Sequence, residues 1–548
     1  MKIVECVPNI SEGRNPEIYN AVAEAAASVS GVKLLDVDPG EETNRTVITF
    51  VGEPEAVLEG AYRLVKRSFE LIDMRAHKGA HGRQGATDVC PFVPVSGVSM
   101  DDCVELARRL GKRVGEELGV PVYLYEYAAT RPERRSLARI RKGEYEALPE
   151  KLKTEAFAPD FGPATFVPSF GAMVTGARKF LVAYNVDLNV TDKRWANRVA
   201  FDVRETGRSV AGPDGEEIQE PGMLKAVRGL GWYIPEYGCA QVSMNLVDLD
   251  VTPVHAAFDA CEESARQRGM RVTGSELVGL VPKKAILDAG VHYLKRMERS
   301  PGVPESDIVH TAVRSLGLNE VAEFVPSEKI IEDILAPERP LARLSVQGFA
   351  DETSRDSTAP GGGSVAALAG ALAAALAAMV ANLPHPKSAY GEVRDDLESI
   401  AVRAQALKQK LLDAIDDDTW AFQRLMEANR AAPGERAAAV REATLGAARV
   451  PLEVAEACPE IAGLCARARA LGMPASASDA GVGAAMARAA ALGAAMNVRI
   501  NLQDMADDAD AREMLGRADR ALAETARAAA AVEREVWSLL GGGELPGE

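Results

Sequence analysis

Residues 361–383 read GGGSVAALAGALAAALAAMVANL. The stretch carries no charge and, at about 1.5 Å of rise per residue, is long enough as a helix to cross a bilayer. Alanine fills most of it, and alanine gains little on leaving water for lipid. Methyl side chains instead let neighbouring helices come close, which suits the central helix of a soluble bundle. We read it so, and expect no membrane partner. Working outward, residues 391–429, 437–458, 461–471, 482–496 and 511–540 repeat apolar positions with helical spacing, and strand-like runs are few beyond residue 341. The pattern predicts an all-α helical bundle over residues 346–548.

Upstream, strand and helix signals alternate. KIVECVPNI reads as a strand rather than a signal peptide, and residues 16–29 as a helix. VKLLDVD and RTVITFVG are β-rich, residues 55–72 are helical, ATDVCPFVPV is strand-like, residues 100–118 are helical and VPVYLYEY is a strand. This order is close to β-α-β-β-α-β. A related order recurs in KFLVAYNVDLNV, a helix over 192–206, CAQVSMNLVDLDV and a helix over 253–268. We therefore expect an α/β (α+β) N-terminal part made of two βαβ-type subdomains, residues 1–178 and 179–330, with facing sheets and a cleft between them. Residues 331–345, around Pro337 and Pro340, are expected as the linker.

The formal net charge of −17 argues against a nucleic-acid partner. Seven scattered cysteines, none in a C-x-x-C pair, read as reduced thiols and hence a cytoplasmic protein. The same spacing predicts no metal site.

The densest chemical cluster is DMRAHKGAHGRQG, residues 73–85. His77 and His81 lie four apart, as in zinc-binding helices, but Gly79, Gly82 and Gly85 disfavour a helix and no Glu follows His77. A loop whose backbone passes close to a ligand fits better, with Arg75, Lys78 and Arg83 available to substrate carboxylates. A solvated basic loop is the plainer alternative. In LLDVDPG, Asp36 suits turn geometry, whereas Asp38, just past the strand end, is placed to orient a histidine or bind an amine. FGPATFVPSFG, residues 161–171, has no regular period; it reads equally as the wall of a flat aromatic ligand and as a plain loop. APGGGS, residues 359–364, precedes the alanine helix without the Lys of a P-loop, and Ser364 stands near the helix start. Three successive acids, Asp416, Asp417 and Asp418, spread around a helix, so one points inward, where burial would raise its pKa into the range of a useful base. Asn497, Asn501, Asp504 and Asp508 form one polar stripe at helical spacing.

At these residues the chain resembles a known family. VECVPNISEG, LLDVD, TNRTVITFVG, LIDMRAHKGAHGRQGATDVCPFVPV and FGPATFVPSFGAMVTGARKFL resemble glutamate formiminotransferase. APGGGSVAALAGAL, DDDTWAF and NVRINLQDMADD resemble the cyclodeaminase domain usually fused to it. The resemblance implies transfer of a formimino group from N-formiminoglutamate to N5 of tetrahydrofolate, then cyclisation to 5,10-methenyltetrahydrofolate with release of ammonia. It implies tetrahydrofolate as a co-substrate, with or without a polyglutamate tail, no metal, and a homo-oligomer. By position His81 is the transferase acid/base. Gly162, Pro163, Ala164, Thr165, Phe166, Val167, Pro168, Ser169, Phe170 and Gly171 match the folate-binding segment. Asp38, Arg45 and His77 are the further substrate-binding residues expected. Asp418 is the expected cyclodeaminase base, with Asp416 and Asp417 as rivals. Two other readings of the C-terminal part stay open: a methenyltetrahydrofolate cyclohydrolase and a non-catalytic oligomerisation module.

Overall fold

A computed structural model describes residues 2–41, 43–79, 82–212, 216–432 and 434–544. The chain forms two compact units, Met1–Ala285 with Gly317–Leu335, and Ile286–Leu316 with Ala336–Glu548.

The first unit opens with a seven-stranded mixed sheet. Its strands are β1 (Ile3–Cys6), β2 (Asn9–Ile10), β3 (Val32–Gly40), β4 (Arg45–Gly52), β5 (Thr87–Ser96), β6 (Val122–Glu126) and β7 (Met173–Ala177). β1 and β2 both run between β4 and β5, β3 lies outside β4, and β7 joins β5 to β6 in parallel; the other pairs are antiparallel. Alternation in β4 turns Ile48 and Phe50 toward helices α1 (Pro16–Ala27), α2 (Pro54–Leu71) and α3 (Met100–Glu117). These helices start on local signals. Asn15 accepts the Glu17 N–H at 3.0 Å before Pro16, and Ser99 and Asp102 form a reciprocal capping box. On the opposite face, α4 (Leu137–Arg141) and α5 (Glu144–Lys151) bring Ile140 and Leu148 onto Val89, Tyr123, Tyr125 and Val174. That leaves Val47 and Thr49 of β4 half-buried on this second face.

A second sheet contains β8 (Val182–Leu188), β11 (Val227–Ile234), β12 (Cys239–Leu246) and β13 (Val272–Val278), in the order β11-β12-β8-β13. Every adjacent pair is antiparallel, and β12 lies between β8 and β11, the strands joined across α6, which is the arrangement of a split βαβ unit. A separate hairpin, β9 (Arg208–Ala211) and β10 (Glu217–Glu220), accompanies it, and α6 (Lys193–Val203) and α7 (Val254–Gln267) pack on the sheet. α8 (Lys283–Arg296), α9 (Glu305–Leu316), α10 (Pro326–Lys329) and α11 (Ile331–Leu335) follow.

The expected linker is not a free connection. Ile331 packs with Ile3 and Val51 of the first unit, and Lys33 Nζ donates to the Ile334 carbonyl at 2.7 Å. Residues 339–342 dock on the helical unit: the backbone N–H groups of Leu341 and Ala342 each donate to Asp416 at 3.0 Å. Residues 286–316, counted with the second α/β half on sequence, group with the helices. There Asn382 Nδ2 donates to the Gly302 carbonyl at 2.7 Å, and Gly302 lies flat against Ala401.

The helical unit consists of α12 (Val346–Thr353), α13 (Gly362–Asn382), α14 (Arg394–Ala428), α15 (Arg436–Leu471), α16 (Ala477–Leu502) and α17 (Ala509–Leu539). The alanine helix α13 has the length and composition of a membrane span, yet it packs against α14, α15 and α16. Ala367, Ala373, Ala374, Ala377 and Ala381 are fully buried. Filling such a position forces neighbouring helices apart. Ala374→Leu is expected to destabilise the helical unit by about 1–3 kcal/mol, seen as a lower denaturant midpoint of the far-ultraviolet circular dichroism.

Candidate active sites

In the first unit, the loop after α2 is held by backbone contacts. Met74 N–H donates to the Ser169 carbonyl at 2.9 Å. A Cβ on Gly79 would lie 2.1 Å from the Thr43 carbonyl oxygen, and one on Gly85 would lie 2.2 Å from that of Ala172. Gly171 has φ +84°, and its Cβ would meet the Gln84 carbonyl at 2.1 Å. The glycines expected to admit a ligand thus serve close approach of chain to chain.

Within this loop His77 is a brace. Its Nε2 lies 2.8 Å from the Asn44 carbonyl, and its Nδ1 accepts from Arg83 Nε at 3.2 Å. Both ring nitrogens are therefore occupied, with the proton on Nε2, and burial lowers the ring's pKa. This neutral, doubly bonded ring fixes the turn between β3 and β4. Asn44, at φ 48°, completes the brace: it accepts from Gly13 N–H at 3.0 Å and donates to the Lys78 carbonyl at 3.1 Å. Arg83 pairs with Glu144 and Glu146, and Arg75 with Asp73. Lys78, Gly79, Arg83, Glu144 and Glu146 line an open depression of about 420 Å³. His81 lies outside the described residues.

The ladder register gathers Asp38, Val47 and Asn9 into one cross-strand row on the second face of the sheet. Asp38 is exposed there. Two residues from Val47, the half-buried Arg45 donates to Asn9 Oδ1. Burial lowers the Arg45 pKa, opposed by Asp88. Asp38 and Arg45, distant in sequence from Asn9, thus share a surface with it.

The 162–171 segment divides. Gly162, Pro163, Ala164, Thr165 and Pro168 are exposed; Phe166, Val167 and Ser169 are half-buried. Phe166 packs on Tyr145 with ring centroids 5.3 Å apart. Phe170 is fully buried beside Phe69 at 5.8 Å, so it belongs to the helix-side core and walls no ligand.

In the helical unit the three acids part company, as successive helical residues about 100° apart must. Asp416 accepts the Leu341 and Ala342 N–H groups and is 1% exposed. Asp417 pairs with Arg339 at 3.1 Å. Asp418 alone turns to the start of α13. Its Oδ2 lies 3.3 Å from Ser364 Oγ, which also donates to the Ile415 carbonyl at 2.9 Å. Burial raises the Asp418 pKa, while bonds from the Ser364 side chain and backbone oppose the shift. Gly363 must be glycine, because a Cβ there would sit 2.3 Å from Asp418 Oδ1.

Asp418 lines a cavity of about 120 Å³ together with Gly362, Thr419, Phe422, Asn497 and Asn501. The polar stripe of the sequence splits here. Asn497 and Asn501 face the cavity, but α16 ends at Leu502 and Asp508 becomes the N-cap of α17. Sequence reasoning missed Thr419, whose Oγ1 is buried without a hydrogen-bond partner among the described residues. Among the described residues no group of three His, Cys, Asp or Glu is arranged to hold a metal.

Both sites lie in regions that match family models. Residues 3–178 match the N-terminal subdomain of the formiminotransferase domain, residues 183–336 the formiminotransferase domain, and residues 345–520 the formiminotransferase-cyclodeaminase model. The formimidoyltransferase-cyclodeaminase of Mus musculus is 44% identical over 516 residues, which cover 92% of this chain and 94% of that protein. This chain belongs to the formimidoyltransferase-cyclodeaminase family. Single-activity relatives of the family match its parts. The glutamate formimidoyltransferase of Streptococcus pyogenes is 41% identical over 294 residues, 54% of this chain and 94% of that protein. The methenyltetrahydrofolate cyclohydrolase of Methylorubrum extorquens is 35% identical over 186 residues, 33% of this chain and 89% of that protein.

Because Gly363 leaves no room for a methyl group, Gly363→Ala is expected to displace the Asp418 carboxylate. Ammonia release from 5-formiminotetrahydrofolate should fall at least about ten-fold with an unchanged circular dichroism spectrum.

Proposed function

We propose that the chain transfers the formimino group of N-formiminoglutamate to N5 of tetrahydrofolate, then cyclodeaminates the product to 5,10-methenyltetrahydrofolate and ammonia. The observation that carries this reading is the sorting of Asp416–Asp418: two acids are tied to protein partners, and the third faces a small cavity at a glycine-rich helix start.

In the transferase unit, N5 of the folate attacks the formimino carbon. His81 takes the N5 proton and returns one to the departing glutamate nitrogen, work that suits a group titrating near neutrality. Its neighbour His77, locked as a neutral ring, holds the loop in place rather than sharing this role. Asp38 and Arg45, together on the sheet face, bind the substrates, with the amine side meeting Asp38 and carboxylate meeting Arg45. The exposed part of the 162–171 segment contacts the folate. The two sheets of the unit face one another around this site.

In the helical unit, Asp418 removes the N10 proton as N10 attacks the formimino carbon. The tetrahedral adduct then carries an amine on the bridging carbon. Asp418 gives its proton to that amine, ammonia departs, and the amidinium charge of the substrate passes to the methenyl bridge, so atoms and charge balance. The N-terminus of α13 beside Asp418 favours the ionised form needed for the first step.

The reading extends to a cytoplasmic homo-oligomer acting on folate with or without a polyglutamate tail. What supports self-association is an exposed apolar stripe on α13, Val365, Leu372 and Met379, at seven-residue spacing. What supports the cytoplasm is the free state of all seven cysteines. The cyclohydrolase relative motivates one rival for the helical unit, hydrolysis of methenyltetrahydrofolate in place of deamination.

His81→Ala is expected to abolish transfer from formiminoglutamate while leaving deamination of supplied 5-formiminotetrahydrofolate within about two-fold; Asp418→Asn does the reverse. Coupled assays of methenyl absorbance and ammonia read both steps. Equal amounts of the two products favour deamination, and loss of methenyl absorbance without ammonia favours the hydrolase. Since the base form of Asp418 is required, kcat for deamination should rise with pH through a value above the ordinary carboxylate range. A limb left in place by Asp418→Asn would assign it to another group.

A further inference from the structure

The chemistry above uses Asp418 and leaves two amides of the same cavity without a role. Asn497 and Asn501 sit one turn apart on α16 and line the cavity with Asp418. Both are half-buried. Asn497 Nδ2 donates to the Gly493 carbonyl at 2.8 Å, and Asn501 Nδ2 to the Ala447 carbonyl at 3.0 Å. Among the described residues nothing donates to either side-chain oxygen. Each amide nitrogen is therefore turned to helix backbone, and the oxygen is the atom left for a ligand.

The start of α13 brings these acceptors up to the carboxylate. A Cβ on Gly362 would lie 3.2 Å from Asn497 Nδ2, and one on Gly363, the next residue, 2.3 Å from Asp418 Oδ1. Amide and carboxylate thus flank the same turn of backbone. Among the described residues no Lys, Arg or His stands in the cavity wall, and Asp418 is its only charged side chain. At about 120 Å³ the cavity is well under the roughly 300–1,000 Å³ that encloses a drug-sized ligand. It has room for the reacting bridge of the folate, with the pterin rings outside.

We propose that Asn497 and Asn501 are specificity-determining residues of the deamination step, their side-chain oxygens accepting the two N–H bonds of the formimino nitrogen. This rests on the cyclodeaminase reading above. In the substrate that nitrogen is the NH2 of an amidinium, whose positive charge is shared across the bridge. Once Asp418 has handed it the proton taken from N10, the charge is gathered on that nitrogen, and its N–H groups donate more strongly. The two bonds therefore tighten before the C–N bond breaks, ammonia leaves and the charge passes to the methenyl bridge. A 5-formyl group puts a carbonyl oxygen at the same place, an acceptor facing two acceptors and a carboxylate, and is rejected. Water added to a methenyl bridge would leave a hydroxyl there, one donor for two acceptors, so the pair favours deamination over hydrolysis.

The test compares wild type with Asn497→Ala and Asn501→Ala. Ammonia release from supplied 5-formiminotetrahydrofolate gives kcat/KM, and 5-formyltetrahydrofolate, which differs in carrying oxygen for nitrogen, is added as a competitor of that release. In wild type we expect its Ki to lie at least about ten-fold above the KM of the formimino substrate. In each variant kcat/KM should fall at least about ten-fold while the Ki of the formyl compound stays within about two-fold or drops. Equal losses on the two compounds, an unchanged kcat/KM, or a wild-type Ki at or below that KM would each overturn the proposal. Asn501→Ala also strips a donor from the Ala447 carbonyl. Should it fail to fold, Asn497→Ala decides alone, because the Gly493 carbonyl keeps the backbone N–H four residues on in α16. Absence of ammonia release by the wild-type protein would instead remove the functional reading on which the proposal stands.

Discussion

Both units depend on removing side-chain volume where two stretches of backbone must meet. In the helical unit the need is met by alanine: α13 can sit among α14, α15 and α16 because its buried positions carry only methyl groups. At the start of that helix even a methyl is too much, and Gly363 lets the Asp418 carboxylate close against the backbone. In the α/β unit the same constraint acts through Gly79, Gly85 and Gly171, each with a carbonyl oxygen where its Cβ would be. These contacts do more than fill space. They are short because nothing intervenes, and so they fix nearby functional groups with little freedom to drift.

A second division runs through the titratable groups. His77, Asp416 and Asp417 look as reactive as their neighbours in sequence, but each is bonded to protein on the atoms that would do chemistry. Their work is to hold the β3–β4 turn and the 339–342 segment. Asp418 is different: Ser364 is its side-chain partner, its carboxylate lines the cavity, and burial raises its pKa. The number of hydrogen bonds an ionisable group already makes therefore separates scaffold from chemistry better than its residue type does.

That distinction marks what the sequence could and could not disclose. The alanine run announced a buried helix through its composition, and alternating β4 announced its inner face at Ile48 and Phe50. Three acids in a row announced that one would point inward, because helical geometry leaves no alternative. Which of them was left to line the cavity depended on Arg339 and on the 341–342 backbone, partners some seventy-five residues away that no local pattern reveals. Phe170 was misplaced because a loop rich in Phe, Pro and Gly looks the same whether its rings face a ligand or a core.

The cavity wall around Asp418 shows how far such long-range partnerships go. α15 contains Pro451, which has no N–H to return to the carbonyl four residues earlier, that of Ala447. A buried carbonyl left so would cost about 1–3 kcal/mol. Asn501 of α16 supplies the missing donor, its Nδ2 lying 3.0 Å from the Ala447 oxygen. Ala447 and Asn501 both line the cavity. The proline therefore does not merely interrupt a helix; it opens a backbone acceptor that captures a side chain from another helix. That bond orients the Asn501 amide, leaving its oxygen directed away from Ala447. Asn497, one turn earlier, is held likewise by the Gly493 carbonyl at 2.8 Å. Two amides anchored through their nitrogens present acceptors beside one carboxylate, an arrangement suited to a ligand rich in N–H groups, as the formimino and N10 centres of the folate are.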